Sequence, residues 1–266
     1  MSVPALLAAM FLVACLTGSC VRGDELELGS LRVVDLSHSF GAKTLYWPTA
    51  PSGFELESLA SGVTEGGWFY AANRLAAPEH GGTHLDAPLH FAAGRASVDE
   101  IPVERLVAPA LVIDVSAEAS AVPEYALTLD RVRAFEAQHG DIAAGSVVLL
   151  YTGWDRFWPE PKAYLGDDTP GEVSKLRFPS FGADAARFLV EERGVAGLGV
   201  DTASLDVGSS SDFPVHRIAA GRDVYGLENL ASLGVLPARG GVLVALPMKI
   251  EGGSGAPMRA VALVPE

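Results

Sequence analysis

Cysteine is nearly missing from this 266-residue chain: there are two, Cys15 and Cys20, both within the first 20 residues. Everything after them therefore lacks disulfides, thiolate metal ligands and a cysteine nucleophile. Positive charge is scarce too. Nineteen Lys and Arg stand against 33 Asp and Glu, for a net charge of −14. Such a surface repels phosphate backbones and argues against nucleic acid as a partner. No Gly-x-Ser-x-Gly context surrounds Ser209, Ser210 and Ser211, which disfavours a serine hydrolase. The glycine-rich stretch 250–257 is not followed by the lysine of a phosphate cradle. There is no internal repeat.

Long hydrophobic runs are also lacking. Leu6–Leu16 is an apolar run of signal-peptide length, too short for a comfortable membrane span. The small residues Thr17, Gly18 and Ser19 follow it, although residues 2–10 carry no Lys or Arg. Residues 1–22 are read as a leader and 23–266 as one domain. The expected location is secreted or periplasmic, with a lipid anchor on Cys20 if cleavage falls just before it. The alternative is a buried N-terminal helix.

What is present is a globular composition, 49% hydrophobic and 20% charged, with enough apolar residues for a core that needs no disulfides. Strands are expected over 31–36, 110–115, 146–151, 195–200, 241–247 and 259–264. Helices are expected over 128–140, with Thr128 as N-cap, and from Ser180 through Arg193. Residues 45–54 read as an irregular aromatic loop, and 155–180 as a long surface loop and candidate lid. The fold class is mixed α/β. Trp47, Trp68 and Phe69 are candidates for a flat substrate-binding pocket; their alternative is packing.

The chemistry concentrates in His80–Phe91, where three of the six histidines fall within twelve residues around Asp86. Imidazole and carboxylate are ligands of zinc, manganese and iron(II). Gly81, Gly82 and Pro88 disfavour a helix, so an extended segment is expected, placing His84, Asp86 and His90 on one side. His80 is then folded back by the glycine pair. His90 stands beside the ion without necessarily binding it, which leaves a coordination position open for catalysis.

The pattern His80-x-Gly82-Thr83-His84-x-Asp86-x-Pro88-x-His90 resembles the signature of the cyclase family, which includes bacterial kynurenine formamidases and isatin hydrolases. Gly199-x-Asp201-x-x-Ser204-x-Asp206 is similar to a second family segment. His216 and Glu228 match the spacing of a second ligand pair. The stretch 246–255 looks more like the isatin hydrolase branch. The resemblance implies a swivelling β/β/α domain, usually a homodimer or larger oligomer. It implies a first metal on His80, His84 and Asp86, and a second on His216 and Glu228 with Asp86 bridging. The cofactor is one or two divalent ions per subunit, manganese or zinc. His90 is implied as general base and then acid. The expected substrate is a small aromatic amide or lactam, either isatin or N-formylkynurenine, with Arg74 or Arg217 as the candidate carboxylate clamp for the latter. The competing reading is a non-catalytic exported metal- or small-molecule-binding protein on the same fold. His38 is expected in a structural hydrogen bond.

Overall fold

A computed structural model describes residues 30–266; the leader assigned to 1–22, with Cys20, lies outside the described residues. In chain order the strands are β1 (Leu31–Asp35), β2 (Glu55–Val63), β3 (Phe69–Ala76), β4 (His84–Asp86), β5 (Val107–Asp114) and β6 (Ala126–Leu127). They continue with β7 (Val147–Tyr151), β8 (Ser180–Phe181), β9 (Gly197–Val200), β10 (Tyr225–Glu228), β11 (Gly241–Pro247) and β12 (Gly255–Pro265). The α-helices are α1 (Ser116–Ala121), α2 (Leu129–His139), α3 (Pro161–Leu165), α4 (Ala183–Arg187) and α5 (Pro214–Ala220).

The apolar runs of β5, β7, β9 and β10 pair in parallel, in that order. Strands buried on both faces need no polar alternation. Successive residues still divide between the two faces. Val112 and Leu149 join an inner cluster with Leu36, Leu85, Leu227 and Leu243. Leu111, Ile113, Val148 and Leu150 pack outward against Val132 and Phe135 of α2 and Val215 of α5. Antiparallel β11 and β12 extend the sheet beyond β5, and β1 adds to β12. The short β4 pairs with both β10 and β12, so the sheet closes into a barrel-like ring at the metal-type motif.

Thr128 caps α2 as expected, its hydroxyl accepting from the Arg131 backbone N–H at 3.2 Å, and Gly140 ends the helix at φ +86. The helix expected from Ser180 differs. The Ser180 hydroxyl donates to Ser204 O at 2.7 Å and its backbone joins β8, so it cannot cap; α4 starts at Ala183 and widens into a π turn over Phe188–Glu192. Nor is 155–180 a loop on the surface throughout. It contains α3, and Tyr164, Leu165, Leu176 and Phe178 form a third apolar cluster that also receives Trp47. The apolar residues inside that proline-rich stretch outweigh its loop composition.

Candidate active site and metal centre

Register assembles the site. In the β4–β10 ladder His84 lies opposite Glu228 and Asp86 opposite Gly226; on the other edge Asp86 faces Gly255. The two glycines leave room around Asp86, and a Cβ on Gly255 would come within 2.5 Å of the His80 ring. Gly82 sits at φ +59, a left-handed conformation glycine adopts freely, and this bend folds His80 back towards β4. His90 arrives differently from the expected extended run: β4 stops at Asp86 and a 3₁₀ turn over Pro88–His90 swings His90 in. Pro88 at the start of that turn ends the strand.

His80, His84, Asp86, His216 and Glu228 converge as two overlapping groups that share Asp86. His80 Nδ1 lies 2.6 Å from Asp86 Oδ1, and His84 Nε2 is 3.2 Å from the same oxygen and 3.5 Å from Glu228 Oε2. His216 Nε2 is 3.0 Å from Glu228 Oε1 and 3.3 Å from Asp86 Oδ2. The outward nitrogen of each ring is spoken for. His84 Nδ1 donates to Gly82 O at 2.9 Å and His216 Nδ1 to Asp206 Oδ2 at 2.7 Å. Ser254 gives its hydroxyl hydrogen to Glu79 at 2.6 Å, so His80 Nε2 donates to Ser254 Oγ at 2.9 Å. The remaining nitrogen of each ring therefore faces the carboxylates, the side from which its lone pair can be offered to a cation held between them. His84 Nε2 is accordingly a buried nitrogen with no hydrogen-bond partner among the described residues.

The electrostatics agree. Burial alone would lower the His84 pKa, but Asp86 and Glu228 reverse this and hold it at about 9. Likewise, burial opposes the His216 imidazolium, yet Asp206, Asp86 and Glu228 push its pKa well up. Burial also works against the Asp86 carboxylate, which His84, His216 and His80 keep well below its usual range. Glu228 is raised by burial and by Asp86. Four buried groups that together demand positive charge fit a divalent cation with nitrogen and oxygen ligands.

His90 is set apart. Its ring stacks on His80 at 3.8 Å, reaches none of the carboxylates in an ion pair, and lines a cavity of about 250 Å³ while remaining open to solvent. Burial lowers its pKa to about 4 against the opposing pull of Asp86, so the ring is neutral at pH 7. Trp47, Phe91 and Phe213 wall the cavity together with Tyr46 and Leu45, and among the described residues no Lys or Arg lines it. Trp47 meets Phe213 edge-on at 6.2 Å.

Two aromatic candidates lie elsewhere. Trp68 and Phe69 are 63% and 66% exposed on the β2–β3 hairpin and do not line the cavity. The Trp68 ring instead folds over Gly66 of the hairpin turn, where any Cβ would overlap it. Neither proposed clamp reaches the cavity: Arg74 pairs with Glu57 on the hairpin, and Arg217 faces a separate surface cleft. The hydrogen bond of His38 is made by its backbone, to Thr83 Oγ1; its ring stacks on Trp158 and Nε2 has no partner among the described residues.

Several residues of the site were given no role from the sequence, although Asp206 and Ser254 lie in segments that resemble the family. Asp206 orients His216 and also accepts from the Val215 and His216 backbone N–H groups. Asn229 donates to Gly82 O at 2.8 Å and accepts from the Tyr164 hydroxyl at 2.9 Å, bracing the carbonyl that fixes His84. Ser254 and Glu79 do the same for His80.

A barrel-like α/β sheet with a buried His/Asp/Glu donor cage beside an open cavity defines a metal-dependent hydrolase. The comparisons give the family. The cyclase family model matches residues 34–207. The chain is 36% identical to the isatin hydrolase of Roseibium aggregatum over 258 residues, 92% of this chain and 96% of that one. It is 32% identical to the kynurenine formamidase of Salinibacter ruber over 247 residues, 87% of this chain and 97% of that one. A crystal structure of an isatin hydrolase bound to the product analogue thioisatinate superposes with a TM-score of 0.82 at 35% identity, covering 90% of this chain and 94% of that one. This chain belongs to the cyclase family.

Proposed function

We propose that this enzyme hydrolyses the C–N amide bond of a small, uncharged aromatic lactam of the isatin type. The observation that carries the choice is the cavity wall facing the donor cage: Leu45, Tyr46, Trp47, Phe91, Leu165 and Phe213, with no Lys or Arg in the lining among the described residues. N-formylkynurenine brings an amino-acid carboxylate that would enter unpaired, and burying an unpaired charge is costly. A flat neutral ring needs only the aromatic walls. The cavity, about 250 Å³, falls just under the ~300–1,000 Å³ of drug-sized sites, which suits a small substrate. The likeness to isatin hydrolases supports the same reading.

In this reading His80, His84, Asp86, His216 and Glu228 hold one or two divalent ions, manganese or zinc, with the Asp86 oxygens directed at both donor groups. Such an ion polarises the amide carbonyl and lowers the pKa of water from 15.7 to about 7. The neutral His90 ring takes a proton as water adds to the carbonyl carbon, and returns it to the ring nitrogen as the C–N bond breaks, leaving a carboxylate and an arylamine. General acid–base help of this kind contributes roughly 10²–10⁴ in rate. Asp206, Ser254 and Gly82 O fix the tautomers of the three histidine ligands. The apolar run Leu6–Leu16 supports an exported enzyme, and the family resemblance a homodimer or larger assembly.

The test is a side-by-side assay of isatin ring opening and formate release from N-formylkynurenine, each with added manganese or zinc. Isatin should be opened with the higher kcat/KM. Preference for N-formylkynurenine would overturn the substrate assignment, and failure on both would move it to another lactam or amide.

A further inference from the structure

Phe213 has an unfavourable backbone for its side chain. Among the described residues, those other than glycine with positive φ are Phe213, Asp223, Asn229 and Ser232. The last three are short and polar, and Asp and Asn tolerate the left-handed region through local hydrogen bonds. Phe213 is bulky, yet it sits at φ +49 and ψ +53. Pro214 follows it, and a residue before proline is driven towards extended conformations. The surroundings impose the conformation all the same. The Phe213 N–H donates to Ser210 Oγ at 3.2 Å, and the Gly208 N–H to Phe178 O at 3.0 Å. On the other side Asp206 holds the Val215 and His216 N–H groups, and Phe213 O accepts from the Arg217 N–H at 3.1 Å in the first turn of α5. A strained residue persists only where its neighbours over-determine it, and such residues gather at functional sites.

What the strain secures is the position of the ring. Phe213 lines the cavity. Its ring is tilted against Phe91 at 5.4 Å, edge-on to Trp47 at 6.2 Å and edge-on to the His216 imidazole at 6.0 Å. It thus joins the aromatic wall to the donor cage. We propose that Phe213 is the specificity-determining residue of this cavity. Its ring closes the space beside the donor cage, admits a flat fused lactam and excludes any group that stands out of the lactam plane. Selection of this kind works by steric exclusion of the wrong substrate. A cavity of about 250 Å³ leaves little room elsewhere for such a group. The assignment deepens the isatin-type reading above and rests on it.

Wild type, Phe213→Gly and Phe213→Ala are compared as full chains with manganese or zinc added. The substrates are isatin and N-phenylisatin, whose second ring is twisted out of the lactam plane. Phe213→Gly should raise KM for isatin about tenfold with a smaller change in kcat, and shrink the wild-type preference for isatin over N-phenylisatin by about tenfold. Its metal content should stay at the wild-type value. Glycine accepts the left-handed conformation and alanine does not, so Phe213→Gly should melt about 2–4 °C above Phe213→Ala. A wild type that takes both substrates equally, or an unchanged preference in Phe213→Gly, overturns the proposal. So does loss of metal, which would make Phe213 a support for His216 instead of a substrate contact. Equal melting of the two variants overturns it too, because no strain would then hold the ring. If Phe213→Gly fails to fold, Phe213→Asn, which tolerates the same backbone, replaces it with the same outcomes. A wild type that opens no isatin takes down the isatin-type reading and this assignment together; one that opens isatin while the glycine variant keeps its preference takes down the assignment alone.

Discussion

Asp206→Asn changes a group that lies outside both candidate donor groups. The Asp206 carboxylate takes the His216 Nδ1 hydrogen at 2.7 Å, the Val215 N–H at 2.8 Å and the His216 N–H at 3.1 Å. All three are donors, and an asparagine turns an NH₂ towards at least one of them. His216 then loses the partner that keeps its Nε2 lone pair inward. A hydrogen bond to a charged group contributes about 1.5–3 kcal/mol. If that stabilisation is expressed through the His216 ligand, the ion should bind roughly 10–100-fold more weakly, the range common for outer partners of metal ligands, equivalent to about 1.4–2.8 kcal/mol. Titration calorimetry of metal-stripped protein with manganese, and separately with zinc, reads this directly. Thermal unfolding of the metal-free variant controls for damage to α5, whose first turn the same carboxylate holds. Wild-type affinity for both ions in Asp206→Asn would refute the role given to Asp206 and weaken the case for His216 as a ligand.

Three further outcomes follow from the geometry. Gly82→Ala puts a Cβ at φ +59 and within 2.5 Å of Phe40 Cε1; the backbone strain alone costs roughly 1–2 kcal/mol, so both melting temperature and metal content should fall, and wild-type values for both would contradict the reading. Trp47→Ala opens the aromatic wall and should raise KM for isatin about tenfold, ~1.4 kcal/mol of binding, with a smaller change in kcat; an unchanged KM would remove Trp47 from the substrate site. Burial raises the pKa of Asp201 to about 6 despite the Thr152 and Trp154 donors. The folded chain thus holds this proton more tightly than the unfolded one, giving roughly 3 kcal/mol of stability that is full below pH ~3.8 and lost as pH rises through about 6. Asp201→Asn should flatten the change in melting temperature across that window, and an unaltered slope would assign it to other groups.

The His80–His90 cluster was readable because its candidate ligands are close in sequence and because Gly81 and Gly82 disfavour an α-helix between His80 and His84; the 3₁₀ turn that Pro88 opens and that carries His90 was not. His216 and Glu228 were not readable from spacing. Their proximity comes from the pairing of β10 with β4, and only the family resemblance pointed to them. Asp206, Ser254 and Asn229 are ordinary polar residues in the sequence; their roles exist only once β4, β10 and β12 close the ring. The apolar strands were clear from their runs, whereas Ser180 looked like a helix cap until a distant carbonyl, Ser204 O, claimed its hydroxyl. Trp68 and Phe69 misled for a related reason. An aromatic run that lines a pocket and one that lies on an exposed hairpin look alike in sequence, because what separates them is which distant elements pack against the run.

The division of labour between His90 and its neighbours carries the mechanism, and His90→Ala tests it most directly. Metal content and isatin turnover should be measured on the same preparation, by mass spectrometry of the bound metal and by absorbance. Turnover should fall by at least about 10² while the metal content stays at the wild-type value. If metal is lost in step with activity, His90 is a ligand and the proton-transfer role assigned to it is wrong.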